Sequence, residues 1–121
     1  MANEISVSAR LKVAKGYLSL EKQATITPTM SGSVYSTAAQ TIGTTHGVLG
    51  IASDVATKGY AWFRNLDTTN YVEIGLEVSA AFQPLIKLKA GEVALVRLSN
   101  VSVYAKANTA SVNLEWVVFA D

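Results

Sequence analysis

Residues Tyr71 to Val78 read YVEIGLEV, and the side chains alternate in kind along the whole run. Val72, Ile74, Leu76 and Val78 fall on one side of an extended chain; Tyr71, Glu73, Gly75 and Glu77 fall on the other. A helix, with about 3.6 residues per turn, would scatter such a pattern around its circumference. A strand repeats every ~2 residues and gathers it into one dry face and one wet face. The same alternation recurs in Ile5–Val13, where Ser6, Ser8, Arg10 and Lys12 interleave the apolar set, and in Ser111–Phe119, where Val112, Leu114, Trp116 and Val118 share a face. No segment carries a convincing helical period. A chain written this way folds into sheets.

The expected core follows from side-chain direction: Val72, Ile74, Leu76, Val112, Leu114 and Trp116 should be buried. Just before the first of these, Gly59–Leu66 (GYAWFRNL) brings Tyr60, Trp62 and Phe63 close together, and large aromatics bury the most area per residue. The four residues DTTN at 67–70 separate the two runs, so 59–78 reads as a β-hairpin.

Along the rest of the chain, Lys15-Gly16 offers a turn and Leu18–Thr27 continues as a strand. Lys22 breaks its apolar set, which places its far half near an edge. Pro28 and Gly32 bracket a loop. From Gln23 to Thr57 only Asp54 is charged and Ser, Thr, Ala and Gly dominate, with short strands expected at Val34–Tyr35, Gln40–Ile42 and Val48–Ala52. That low-charge stretch fits either loops closing one end of a sandwich or a surface that packs on another protein. Ser79–Pro84 reads as a loop, Leu85–Lys89 and Glu92–Leu98 as strands about the turn Ala90-Gly91, and Val103–Ala107 as a further strand. With about eight strands and turn signals every ~8–12 residues, the fold class is all-β: an antiparallel β-sandwich or barrel, here read as one sandwich domain over 1–121. Residues 1–15 form its N-terminal strand or act as an arm.

Composition narrows function by exclusion. The 10 Lys and Arg against 9 acidic residues give a net charge of +1, unlike the cationic excess that phosphate binding needs, so direct nucleic-acid binding is not expected. Without cysteine there is no disulfide, no thiolate nucleophile and no Cys-based zinc site. The N-terminus lacks the apolar run of a signal peptide, and no stretch reaches the ~20 apolar residues needed to cross a bilayer as a helix. The expectation is a protein made in a cytoplasm, with no membrane partner.

Candidate chemistry is sparse. His46, the single histidine, sits in the loop TTHG with no acidic neighbour in sequence, and reads as a solvated loop residue. Glu73 and Glu77 share a face, but four residues of strand separate them by ~13 Å, too far for a glycosidase pair at ~5–10 Å. They read better as cross-strand partners, with Glu73 opposite Lys89 and Lys87 diagonal to both. Gly43, Gly47 and Gly50 match no phosphate-binding spacing. Asp67 and Asn70 lack the alternating acids of a calcium loop and read as a turn. Tyr60, Trp62, Tyr71 and Tyr104 are candidates for a stacking platform, with burial in the core as the alternative. No catalytic, metal or cofactor site is expected.

The phrases NLD–TNYVEIG, LKAGE and YAKANTA, with the opening MANEISVSARLKVAKGYLSL, resemble small virion structural proteins of tailed bacteriophages. The resemblance is clearest over Gly59–Trp116. It implies a jelly-roll-like sandwich that acts as a capsid cement or decoration protein on the outer capsid surface, bridging major capsid protein subunits and copies of itself. The alternative it leaves is a tail- or fibre-associated component that contacts tail proteins or a surface glycan. It supplies no functional residues. The candidate interface comes instead from the first strand, which begins near a chain end free to pair elsewhere: Ile5, Val7 and Leu11 on its apolar face, Arg10 and Lys12 on its basic one.

Overall fold

The computed structural model describes residues 2–121 and contains ten strands and, among the described residues, no helix. The chain divides at Ser31/Gly32 into two compact units.

In the first unit β1 (Val7–Lys15) and β2 (Leu18–Ile26) pair antiparallel as a two-stranded ribbon. The turn is Gly16-Tyr17, closed by the pair Lys15 and Leu18, and Gly16 takes a φ of 57° that a side chain would resist. Where sequence pattern drew one sandwich over 1–121, this ribbon forms a sheet of its own.

The second unit, Gly32–Asp121, contains β3 (Tyr35–Ile42), β4 (Gly47–Val48), β5 (Lys58–Asn65), β6 (Val72–Val78), β7 (Ala81–Leu88), β8 (Val93–Arg97), β9 (Tyr104–Ala107) and β10 (Val112–Ala120). Its pairings are nested: β3 with β10, β4 with β9, β5 with β8 and β6 with β7, all antiparallel. The chain is thus one long hairpin that turns back between β6 and β7. Two lateral pairings, β5 with β10 and β6 with β9, close it into sheets of order β3-β10-β5-β8 and β4-β9-β6-β7. Both contribute to one core. Phe63, Leu114, Trp116 and Val118 come from the first sheet, and Val72, Ile74, Leu88 and Ala105 from the second. The unit is an all-β antiparallel sandwich.

Several local expectations give way to long-range pairing. The two runs in 59–78 are not a hairpin, because β5 and β6 lie in different sheets. Asn65 explains the crossing. It is fully buried; its amide donates to Asn70 O (2.8 Å) and Leu88 O (3.0 Å), while its Oδ1 accepts from Asp67 N (2.9 Å). The corner is tied to the second sheet and cannot fold back along the first.

The true hairpin joins β6 to β7 through Ser79-Ala80, both at positive φ (51° and 65°). Those angles match the two-residue turn that fits the twist of paired strands, usually written with Asn or Gly. Without either residue the turn is hard to see in sequence, and β7 begins at Ala81 instead of Leu85. Pro84 is tolerated because β7 is an edge strand. Opposite it, a Cβ on Gly75 would lie 2.0 Å from Gln83 O, so only glycine fits. A register shift at Ile74/Gly75 moves Lys87, not Lys89, opposite Glu73. The bulge also ends the clean alternation: Leu76, expected in the core, is 41% exposed. The other five expected core residues are buried. The short strands placed at Val34–Tyr35 and Gln40–Ile42 merge into β3, and the one at Val48–Ala52 shrinks to β4.

Candidate interaction surfaces

The ribbon has two unlike faces, set by its register. Val7 lies opposite Ile26, Ala9 opposite Ala24, Leu11 opposite Lys22 and Val13 opposite Leu20, which makes one face apolar apart from Lys22 and, at the turn, Lys15. On the other face Ser8 lies opposite Thr25, Arg10 opposite Gln23 and Lys12 opposite Glu21. The polar face satisfies itself: the Arg10 guanidinium binds Glu21 at 2.6–2.7 Å, and the Ser8 and Thr25 hydroxyls are 3.3 Å apart. The apolar face is open. Leu11 is 60% exposed, Leu18, Leu20 and Ile26 are also exposed, and Val7 and Val13 are half-buried.

The structure therefore splits the five candidate interface residues. Val7 and Leu11 share the apolar face, and Ile5, just ahead of β1, donates its N–H to Pro28 O at 3.2 Å. Arg10 and Lys12 are on the opposite face, and Arg10 is already engaged by Glu21. Sequence alternation already divides the five between two faces; the Arg10–Glu21 contact was beyond it, because that depends on the hairpin register.

His46 does have a carboxylate beside it, contributed by a residue distant in sequence. Its Nε2 is hydrogen-bonded to Glu77 Oε2 at 2.7 Å; the ring stacks on Phe82 (5.5 Å between centres) and meets the edge of Tyr104 (6.0 Å). Thus β6, β7 and β9 hold the loop that leads into β4. Among the described residues no hydroxyl is hydrogen-bonded to His46. Its geometry is that of a clasp.

The other candidates resolve as local structure. The Asp67 carboxylate accepts from Asn70 N (2.6 Å) and Thr69 N (2.9 Å), which holds its pKa below the ordinary Asp value. The Gly50 N–H is taken by Gln40. The Lys87 ammonium lies 4.0 Å from the centre of the Tyr71 ring. Among the described residues no three His, Asp or Glu side chains are grouped to hold a metal ion.

Of the four aromatics proposed as a platform, the structure brings two together. Tyr60 and Trp62 lie on the outer face of the first sheet, whereas Tyr104 stands at His46 and Tyr71 at Lys87. Register adds partners that sequence reasoning missed. Thr37, Val117, Trp62 and Leu95 form a row straight across β3, β10, β5 and β8. Beside it Tyr35 lies opposite Phe119, their rings 5.7 Å apart. The signal for Phe119 and Val117 was the second parity of β10, which carries apolar side chains on both faces. A separate cleft of about 330 Å³ opens between β7 and β8, lined by Leu76, Leu85, Leu98 and Val101 over Phe63 and Ile74.

No family model, curated protein or solved structure matches the chain. The functional reading rests on the chain's own surfaces.

Proposed function

We propose that the chain is a non-enzymatic structural protein of a tailed-bacteriophage virion, acting as a capsid cement or decoration protein on the outer head surface. The observation that carries this reading is the ribbon. A two-stranded hairpin is marginal by itself in water, and this one leaves its apolar face exposed. Laid on a neighbouring subunit, that face would bury Leu11, Val13, Leu20 and Ile26, and its edges would add backbone pairing. The sandwich supplies a rigid body. Its nested pairings, wound from one long hairpin into β3-β10-β5-β8 over β4-β9-β6-β7, are read here as the jelly roll that the sequence resemblance implies. Major capsid protein is the partner. Apolar burial dominates the attachment, since exposed ion pairs contribute only ~0–1 kcal/mol each.

The outer face around Tyr60 and Trp62 favours a second reading, a tail- or fibre-associated component that binds a surface glycan.

The test is quantitative mass spectrometry of purified particles from the phage that encodes the chain, with and without Leu11→Glu/Leu20→Glu. Hundreds of copies, mostly lost in the double variant while the sandwich melts normally, are the expected result. A handful of copies would move the assignment to the tail. None would overturn both readings.

A further inference from the structure

The outer face of the β3-β10-β5-β8 sheet carries exposed aromatic and aliphatic side chains among charged ones, and we propose that a second copy of this chain covers it. This pairing does not depend on the virion reading. The face is ordered in rows. Thr37, Val117, Trp62 and Leu95 span all four strands, and the adjacent row is Ala39, Glu115, Arg64 and Val93. Tyr35 is 60% exposed, and Val93, Leu95 and Phe119 are exposed as well.

Charge selects the occupant. Arg64 and Glu115 are cross-strand neighbours, yet Arg64 makes no ion pair among the described residues. One oxygen of Glu115 accepts from Trp62 Nε1 at 3.2 Å. Adjacent strands β5 and β10 thus present one cation and one anion side by side. A two-fold axis along the strand direction, midway between them, lays β5 of one copy over β10 of the other. Arg64 then meets Glu115 of the second copy, twice by symmetry, and Trp62 meets Val117 of the second copy. The same operation sets β3 over β8, with Tyr35 near Arg97 of the second copy, whose guanidinium already lies over its own Tyr60 ring (4.5 Å) and binds Asp121 (2.8 Å). Sheets stacked with nearly aligned strands pack ~10 Å apart with interdigitating side chains.

Size also fits. Four strands at ~4.8 Å spacing and about seven residues at ~3.4 Å outline a face of roughly 400 Å² in projection. With side-chain relief that becomes about 600 Å² of accessible surface per copy, or ~1,200 Å² in all, the lower bound for a specific interface. A reversible dimer with a Kd on the order of 10 µM is expected.

Sedimentation equilibrium of the full chain from about 1 µM to about 500 µM tests this directly. The expected result is a monomer–dimer equilibrium weakened about tenfold or more by Leu95→Glu and by Arg64→Glu, with far-ultraviolet circular dichroism unchanged. The double exchange Arg64→Glu/Glu115→Arg should restore dimerisation to within about threefold of the starting protein. A monomer throughout would overturn the proposal. So would a dimer indifferent to Leu95→Glu but lost with Leu11→Glu, which would place the contact on the ribbon. A monomer whose Trp fluorescence responds to chitohexaose or maltohexaose, and not in Trp62→Ala, would assign the face to a glycan instead.

Discussion

Strands β1 and β10 are each nine residues long, and each carries an apolar set at every second position. Their fates differ. In β10 the set Val112, Leu114, Trp116 and Val118 is buried to 2% exposure or less, under a second sheet. In β1 the set Val7, Ala9, Leu11 and Val13 stays partly or wholly exposed, in a ribbon with one partner strand. Alternation records that a strand has two unlike faces. It does not record whether anything covers the apolar one. Coverage in β10 comes from strands far away in sequence, and in β1 it has to come from outside the ribbon. The molecule combines a sandwich that buries its own core with a ribbon whose apolar side chains stay exposed.

Matched truncations sharpen that contrast most. Leu114→Ala removes a fully buried side chain and should destabilise the sandwich by about 3–5 kcal/mol in urea unfolding. Leu11→Ala should change it by less than about 0.5 kcal/mol. Equal losses would erase the distinction between the two units.

The turns of the two units can be compared in the same way. The ribbon reverses at Gly16-Tyr17, where backbone freedom is enough, whereas the sandwich corner at 65–70 depends on buried side-chain hydrogen bonds. Asn65→Leu keeps the branched side-chain skeleton but leaves Leu88 O, Asn70 O and Asp67 N without their partner, an expected loss of about 2–4 kcal/mol. Asp67 gives the smallest effect. Backbone N–H groups, first that of Asn70 and then that of Thr69, lower its folded pKa. Its stabilisation is therefore complete above the unfolded value and is lost as pH falls through the folded one. Asp67→Asn should flatten the decline in melting temperature as pH falls below the ordinary Asp value of 3.8, and an unchanged decline would show that the corner carboxylate contributes nothing.

Sequence pattern reached the apolar runs bounded by clear turn residues: β10, β8, β9 and the first half of β6 lie within a residue or two of where the pattern put them. It failed where topology is set by contacts between distant residues. The DTTN corner has turn chemistry, and only the buried Asn65 amide decides that it crosses between sheets. Ser79-Ala80 carries no glycine or asparagine to announce a tight turn, and the bulge at Gly75 hides from a strict period of two. The candidate interface was legible as an amphipathic strand with a basic face, but the engagement of Arg10 was not, because Glu21 reaches Arg10 only in the hairpin register. His46 looked isolated for the same reason; its partner is 31 residues away.

The central claim is that the ribbon, as a two-stranded unit, has no covering layer of its own over its apolar face, and amide hydrogen exchange of the isolated full chain tests it most directly. Amides in Phe63–Asn65 and Leu114–Val118 should exchange only through global unfolding, at a free energy of about 5–15 kcal/mol. Amides in Val7–Ile26 should exchange through local opening, within seconds to minutes and at near-zero protection. Protection of Val7–Ile26 equal to that of β10 in the isolated monomer would contradict the account, because it would mean that the ribbon is already part of a packed core.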